Sequence, residues 1–173
     1  MKHLTKALFV VAALSVSACA NKDVDNYAGE IGGDAYGAGG AGANGGVSDP
    51  TSIAYFQQTV GDRILFVVDQ STLNDTARGI LVTQAQWLNA NPEYTAVIEG
   101  HADEQGTREY NLALGARRAN AVQEYLISQG VSGSRLQVLT YGKERPLEVC
   151  SQESCYSKNR RAVTVLAAGG LTS

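Results

Sequence analysis

Arg118 sits where an arginine is costly. From Thr107, which can cap it, to Gly130, which can end it, the sequence predicts one long helix reaching Ser128. At about 100° per residue, Leu112, Gly115, Ala119, Val122 and Leu126 fall on one side of it, widened by Leu114 and Tyr125. Arg117 falls outside that arc and belongs in solvent; Arg118 falls inside it, between Leu114 and Val122. A guanidinium on a largely apolar face needs a partner, because an uncompensated buried charge is strongly destabilising. The nearest acids are Asp103 and Glu104, in the polar loop His101 to Gly106 just before the helix. Spacing alone leaves two readings open: Asp103 and Arg118 pair to fasten loop to helix, or they face a ligand.

The rest of the chain limits what such a pair can serve. Of 173 residues, 14 are basic and 17 acidic. A net charge of −3 argues against binding a nucleic-acid backbone, which needs a dense basic surface. Lys2, His3 and Lys6 precede an apolar run, Ala7 to Val16, that is too short to span a bilayer and has the layout of a secretory signal. The run ends in Val16-Ser17-Ala18-Cys19, which resembles the lipobox of bacterial lipoproteins. That resemblance implies cleavage before Cys19, attachment of a diacylglyceryl group to its sulfur and acylation of the new amino end. More than one acyl chain holds a protein stably on a membrane. Ala20 follows Cys19 in place of the Asp that marks inner-membrane retention in enterobacterial lipoproteins, which favours the outer membrane, with the protein facing the periplasm. Loss of residues 1–18 removes two Lys and no acid, taking the charge from −3 to −5. His101 is then the only histidine, and Cys150 and Cys155 the only free cysteines. In an oxidising compartment that pair is expected as a disulfide closing a small loop, with a reactive redox pair as the other reading.

Nine of the eighteen positions from Gly29 to Gly46 are Gly. Such a stretch buries too little to offset its ordering entropy, so residues 19–52 are expected to be a lipidated, flexible, disordered tether. A folded domain is expected over residues 53–173. Arg63 to Asp69 reads as a first strand, and Asn74 or Asp75 caps a helix to about Ala90 using Ala77, Ile80, Leu81, Ala85 and Leu88. Tyr94 to Glu99, Leu136 to Tyr141 and Ala162 to Leu166 read as further strands. Helices alternating with strands imply an α/β sandwich around one core.

Several blocks, in order, carry a resemblance. Val97-Ile98-Glu99-Gly100-His101-Ala102-Asp103-Glu104-Gln105-Gly106-Thr107 is followed by Glu109-Tyr110-Asn111-Leu112-Ala113-Leu114-Gly115 and Arg117-Arg118-Ala119-Asn120-Ala121-Val122. Tyr141 to Pro146 and Tyr156 to Val163 extend the match over roughly residues 60–167. Together they resemble the OmpA-like peptidoglycan-binding domains, and among these the peptidoglycan-associated lipoproteins. The resemblance implies a βαβαβ(α)β sandwich whose mixed sheet carries its helices on one face. It also implies a ligand, the diaminopimelate of the peptidoglycan stem peptide, whose free end carries an ammonium and a carboxylate on one carbon. Asp103 matches the family's ammonium-binding Asp and Arg118 its carboxylate-binding Arg, and Arg suits a two-oxygen acceptor better than Lys. Phe66, Asp69, Asn111 and Leu114 match further pocket positions. Phe66 is equally readable as core, and Val67 stands where the family often has Asp. Asn159, Arg160 and Arg161 match a block near the last strand, for which surface ion pairs are the alternative role. The resemblance further implies membership of the Tol–Pal system, with TolB as a partner, and a part in envelope integrity and outer-membrane constriction at division. It requires no cofactor and no metal.

Two other functions fit the same residues less well. A peptidoglycan hydrolase would draw on His101, Asp103 and Glu104 for acid–base work, yet one histidine cannot build a multi-His zinc site and no nucleophile stands in a recognisable setting. A wall-anchoring lipoprotein of the same family outside the Tol–Pal system would use the same binding residues.

Overall fold

Two side-chain caps set where the helices begin. The computed structural model describes residues 46–168, so the signal segment, Cys19 and the glycine-rich stretch up to residue 45 lie outside the described residues. Asn74 accepts from the Ala77 amide at 2.8 Å and starts α2 (Asp75–Ala90); Thr107 accepts from the Tyr110 amide at 3.2 Å and starts α3 (Arg108–Ser128). Each cap satisfies an amide that a helix leaves free. Gly130, at φ +92°, turns the chain out of α3 while Val131 N–H donates to the Leu126 carbonyl.

Four strands form one mixed sheet: β1 (Arg63–Leu65), β2 (Tyr94–His101), β3 (Leu136–Gly142) and β4 (Arg161–Ala168), in the order β1-β4-β2-β3. β2 and β3 run parallel, joined by α3; β4 is antiparallel to both β1 and β2. Tyr94, Ala96 and Ile98 of β2 are buried beneath α2 and α3, with Leu81, Leu88, Val122 and Leu126 filling the space between. Gln84, fully buried on α2, donates to the Gly61 carbonyl at 2.6 Å and accepts from Thr164 Oγ1 at 2.9 Å. The layer is thus pinned to β4 with no polar atom of Gln84 wasted.

A short helix, α1 (Ile53–Tyr55), continues into a π-helical turn, Phe56–Gly61. The chain is tied to the domain slightly earlier than Ile53. Trp87 Nε1 donates to the Pro50 carbonyl at 2.7 Å and Tyr94 Oη to that of Thr51 at 2.9 Å.

β1 is shorter than its apolar run suggested. Only Arg63–Leu65 pair with β4 as strand, and Phe66 N–H makes one more bond to the Arg160 carbonyl at 2.9 Å. Beyond that the backbone leaves the sheet, Asp69 takes φ +56°, and Val67 and Val68 are exposed. The reason is tertiary: the carbonyls of Val67 and Gln70 are taken by Arg118. A seven-residue helix, α4 (Glu153–Asn159), precedes β4, and the structure joins Cys150 to Cys155 by a disulfide across its first turn (Cα–Cα 5.9 Å).

Helix and sheet meet backbone to backbone at two glycines. A Cβ on Gly100 would lie 2.6 Å from the carbonyl carbon of Gly115 and nearer still to its oxygen; one on Gly115 would lie 2.5 Å from Thr140 Oγ1 and 2.9 Å from the Gly100 oxygen. Thr140 Oγ1 is already committed, donating to the Leu112 carbonyl at 2.9 Å. α3 therefore rests backbone-on-backbone against β2 and β3.

Candidate ligand-binding site

Arg118 projects from α3 into the space between the end of β2 and the loop that follows β1, and is fully buried. Its Nε donates to the Gln70 carbonyl at 2.8 Å, Nη1 to that of His101 at 2.9 Å and Nη2 to that of Val67 at 3.2 Å. Phe66 lies beneath it, the guanidinium carbon 5.3 Å from the ring centre. Three of five N–H groups are used, leaving one on each terminal nitrogen. Burial pulls its pKa down to about 10; the field of Asp103 opposes that and Arg160 adds to it. The group is still a cation at neutral pH.

Asp103 does not pair with Arg118. Among the described residues no carboxylate lies at ion-pair distance from Arg118, and the fastening of loop to helix by a direct Asp103–Arg118 bridge is not what the structure shows. The Asp103 Oδ2 instead takes Arg160 Nη1 at 3.1 Å, and Oδ1 accepts the Gln105 amide at 3.2 Å. Arg118's charge is therefore met by neutral carbonyls, which are weaker acceptors than a carboxylate.

The remaining expected positions surround this pair unequally. Asn111, buried in the first turns of α3, donates to the Gln105 carbonyl at 2.8 Å and so shapes the loop holding Asp103, while its Oδ1 has no partner among the described residues. Leu114 is buried one turn before Arg118 but stands apart from the main core cluster, as a wall would. Phe66 is both core and contact: it is buried in the cluster and touches Arg118. Asp69 lies at the rim, accepting from Tyr110 Oη, and its charge reaches Arg118 only through space.

Arg160 is the group that sequence reasoning undervalued. The surface ion-pair role offered for the block at 159–161 is corrected: Asn159, Arg160 and Arg161 are all buried. Asn159 Oδ1 accepts the amides of Leu147 and Glu148, holding the loop before α4. Arg160 bonds Asp103, the Phe66 carbonyl and Glu153 together. Glu104 receives Tyr156 Oη at 3.0 Å and Ser151 Oγ at 3.3 Å. The signal for this cluster was the match of residues 159–161 to a family block near the last strand, which does not name Asp103 as the partner of Arg160.

His101, Asp103 and Glu104 do not act on one another. The imidazole is buried beside Tyr141, ring centres 5.4 Å apart, with Nε2 3.7 Å from the Glu99 carboxylate. Its pKa is held below the ordinary 6.5 first by burial, then by Arg161 and Arg145, against the pull of Glu99. Because the folded value is depressed, the contribution of neutral His101 is complete above about pH 6.5 and is lost as pH falls towards the folded value. The urea midpoint should therefore drop between about pH 7.5 and about pH 5.5. His101→Gln should shrink that drop; an unchanged drop would assign it to other groups.

Comparisons with known proteins show the family and the fold. Residues 65–160 match the OmpA family. A protein of Mesorhizobium japonicum named peptidoglycan-associated lipoprotein is 50% identical over 161 residues, spanning 93% of this chain and 90% of that one. Its namesake in Agrobacterium fabrum is 49% identical over 175 residues, spanning 99% and 94%. Among solved structures, the peptidoglycan-associated lipoprotein from Burkholderia pseudomallei superposes with a TM-score of 0.62 at 34% identity, covering 70% of this chain and 98% of that chain. The C-terminal domain of Helicobacter pylori MotB shares the fold at 20% identity, with a TM-score of 0.59 over 62% of this chain and 84% of that chain.

Proposed function

Because this chain belongs to the OmpA family and, within it, to the peptidoglycan-associated lipoproteins, we propose that it is an envelope lipoprotein that binds peptidoglycan non-covalently, without catalysis. The observation that supports this most is the separation of the two charges. Among the described residues Arg118 is a buried cation with no carboxylate partner, and Asp103 is held by a different cation. A ligand with an ammonium and a carboxylate on one carbon fits such a site, and the free end of diaminopimelate is that ligand. Its carboxylate replaces the loop carbonyls of Val67 and Gln70 on Arg118; a charged acceptor outcompetes two neutral ones there. Since Arg118 is fully covered, the loop after β1 must lift for this exchange, and its exposed Val67 and Val68 have little packing to lose.

The proposal extends to the anchor and the partners. Lipid on Cys19 places the protein at the outer membrane facing the periplasm, and the family relationship favours membership of the Tol–Pal system with TolB as partner, in support of constriction at division. Pull-down of TolB in the absence of cell wall separates this from a wall anchor outside that system.

The site is tested by titrating the protein with a diaminopimelate-containing muropeptide. Saturable binding by the native protein and a loss of more than about tenfold in Asp103→Ala are the expected results; the variant keeps the fold but melts lower, because buried Arg160 loses one of its two carboxylates. Equal affinity in the folded variant removes Asp103 from the site. Release of soluble fragments from purified sacculi would replace binding with hydrolysis.

A further inference from the structure

Asp103 faces a difficulty as an ammonium acceptor: its carboxylate is already engaged by a guanidinium. A carboxylate neutralised by one dedicated Arg has little charge left for a second cation. The structure contains a remedy. Arg160 is shared, its Nη1 lying 3.1 Å from Asp103 Oδ2 and 3.2 Å from Glu153 Oε2, with Nη2 also bonded to Glu153. Two carboxylates on one guanidinium leave a net negative charge, and Glu104 lies next to Asp103 in the same loop. Glu153 is exposed whereas Asp103 and Arg160 are buried, so the second acid draws part of the cation's bonding outward.

We propose that Glu153, held in place by the Cys150–Cys155 disulfide, is a positioning residue that sets the site's selectivity for a free ammonium, by occupying Arg160 so that Asp103 keeps its charge for the ligand. This rests on the reading of Asp103 as the ammonium acceptor. Glu153 lies inside the six-residue ring that the disulfide closes, at the first position of α4. A helix of seven residues has little stability of its own, and no side chain caps it. The cross-link supplies the order that the helix lacks. From the same ring Ser151 bonds Glu104, and Tyr156, one residue beyond, does so too. The ring and the residue after it thus hold two further carboxylates, Glu153 on the guanidinium that Asp103 uses and Glu104 beside Asp103 in the loop. The Arg160 bond holds the Glu153 carboxyl below its usual range, so it is ionised through the neutral and mildly acidic range.

The test uses two probes on the full-length protein: a muropeptide ending in free diaminopimelate, and the same muropeptide with that terminal amine acetylated. The native protein should prefer the free amine by more than about tenfold. Glu153→Gln should weaken binding of the free form by about three- to tenfold while leaving affinity for the acetylated form unchanged, so that the ratio narrows. Cys150→Ser/Cys155→Ser should shift the ratio in the same direction. A purely structural role for Glu153 would lower both affinities together, and that result overturns the inference. An unchanged ratio in Glu153→Gln, with Asp103→Ala losing the free-amine ligand, overturns it as well and leaves the site assignment standing. Asp103→Ala binding both probes as the native protein does would instead overturn the site assignment on which it rests.

Discussion

Arg118→Lys is expected to lose muropeptide binding by well over tenfold, although charge is conserved. The guanidinium reaches three carbonyls on two separate segments, Val67 and Gln70 on one side and His101 on the other. It does so because its donors fan out in a plane. An ammonium is a single point; it can satisfy one of those segments but cannot hold the His101 carbonyl while offering two parallel N–H groups to the carboxylate that displaces the other segment. Lys is also more strongly hydrated, so full burial costs it more. The change should destabilise the fold by about 1–3 kcal/mol through carbonyls left without donors. Titration with the muropeptide, read beside a thermal melt, separates the two effects. A folded Lys variant with native affinity would show that Arg118 is only a structural bolt.

The second large effect concerns stability. Gly100→Ala should lower stability by about 3 kcal/mol, or about 10 °C in melting temperature, and Gly115→Ala should come close to it. The obstacle in the first case is the helix backbone itself, at 2.6 Å or less, which no rotamer change relieves. In the second it is the Thr140 hydroxyl and the Gly100 carbonyl, and moving the hydroxyl breaks its bond to Leu112. Each glycine stands three residues before a charged member of the site, Gly100 before Asp103 and Gly115 before Arg118. Widening their contact therefore also widens the gap between the two charges, and Gly115→Ala should lose ligand as well as stability. Native melting behaviour in both variants would mean that α3 can stand off the sheet without cost.

The parts of this protein that one sequence made legible are those governed by local rules. Asn74 and Thr107 are caps followed by apolar periodicity, and both helices begin at the expected residue. Arg118 stood out because a charge inside an apolar arc violates that periodicity, and the structure buries it completely. What stayed hidden is tertiary. Nothing near Val67 signals that its carbonyl belongs to a guanidinium 51 positions later, so an apolar run was read as a longer strand than the sheet accepts. Gly100 fell between the strand read as ending at Glu99 and the loop read from His101; its real constraint is a helix on top of a strand, visible only once both are placed. Helix α4 is seven residues long, two turns, too few for periodicity to separate it from a loop. Arg160 joins Asp103 over 57 positions, and neither neighbourhood alone shows which cation takes the acid.

The strand order has a consequence for biogenesis. β4, the last strand among the described residues, is an interior strand, lying between β1 and β2. A chain cut short before Arg161 leaves β1 with no partner and turns one side of β2 into a bare edge, and ending a residue earlier also deprives Asp103 of its cation. Long-range pairing of this kind is slow to form, because loop closure must precede its reward. The proposed ligand site is accordingly among the last things the chain completes, and an incomplete copy is expected to bind no peptidoglycan.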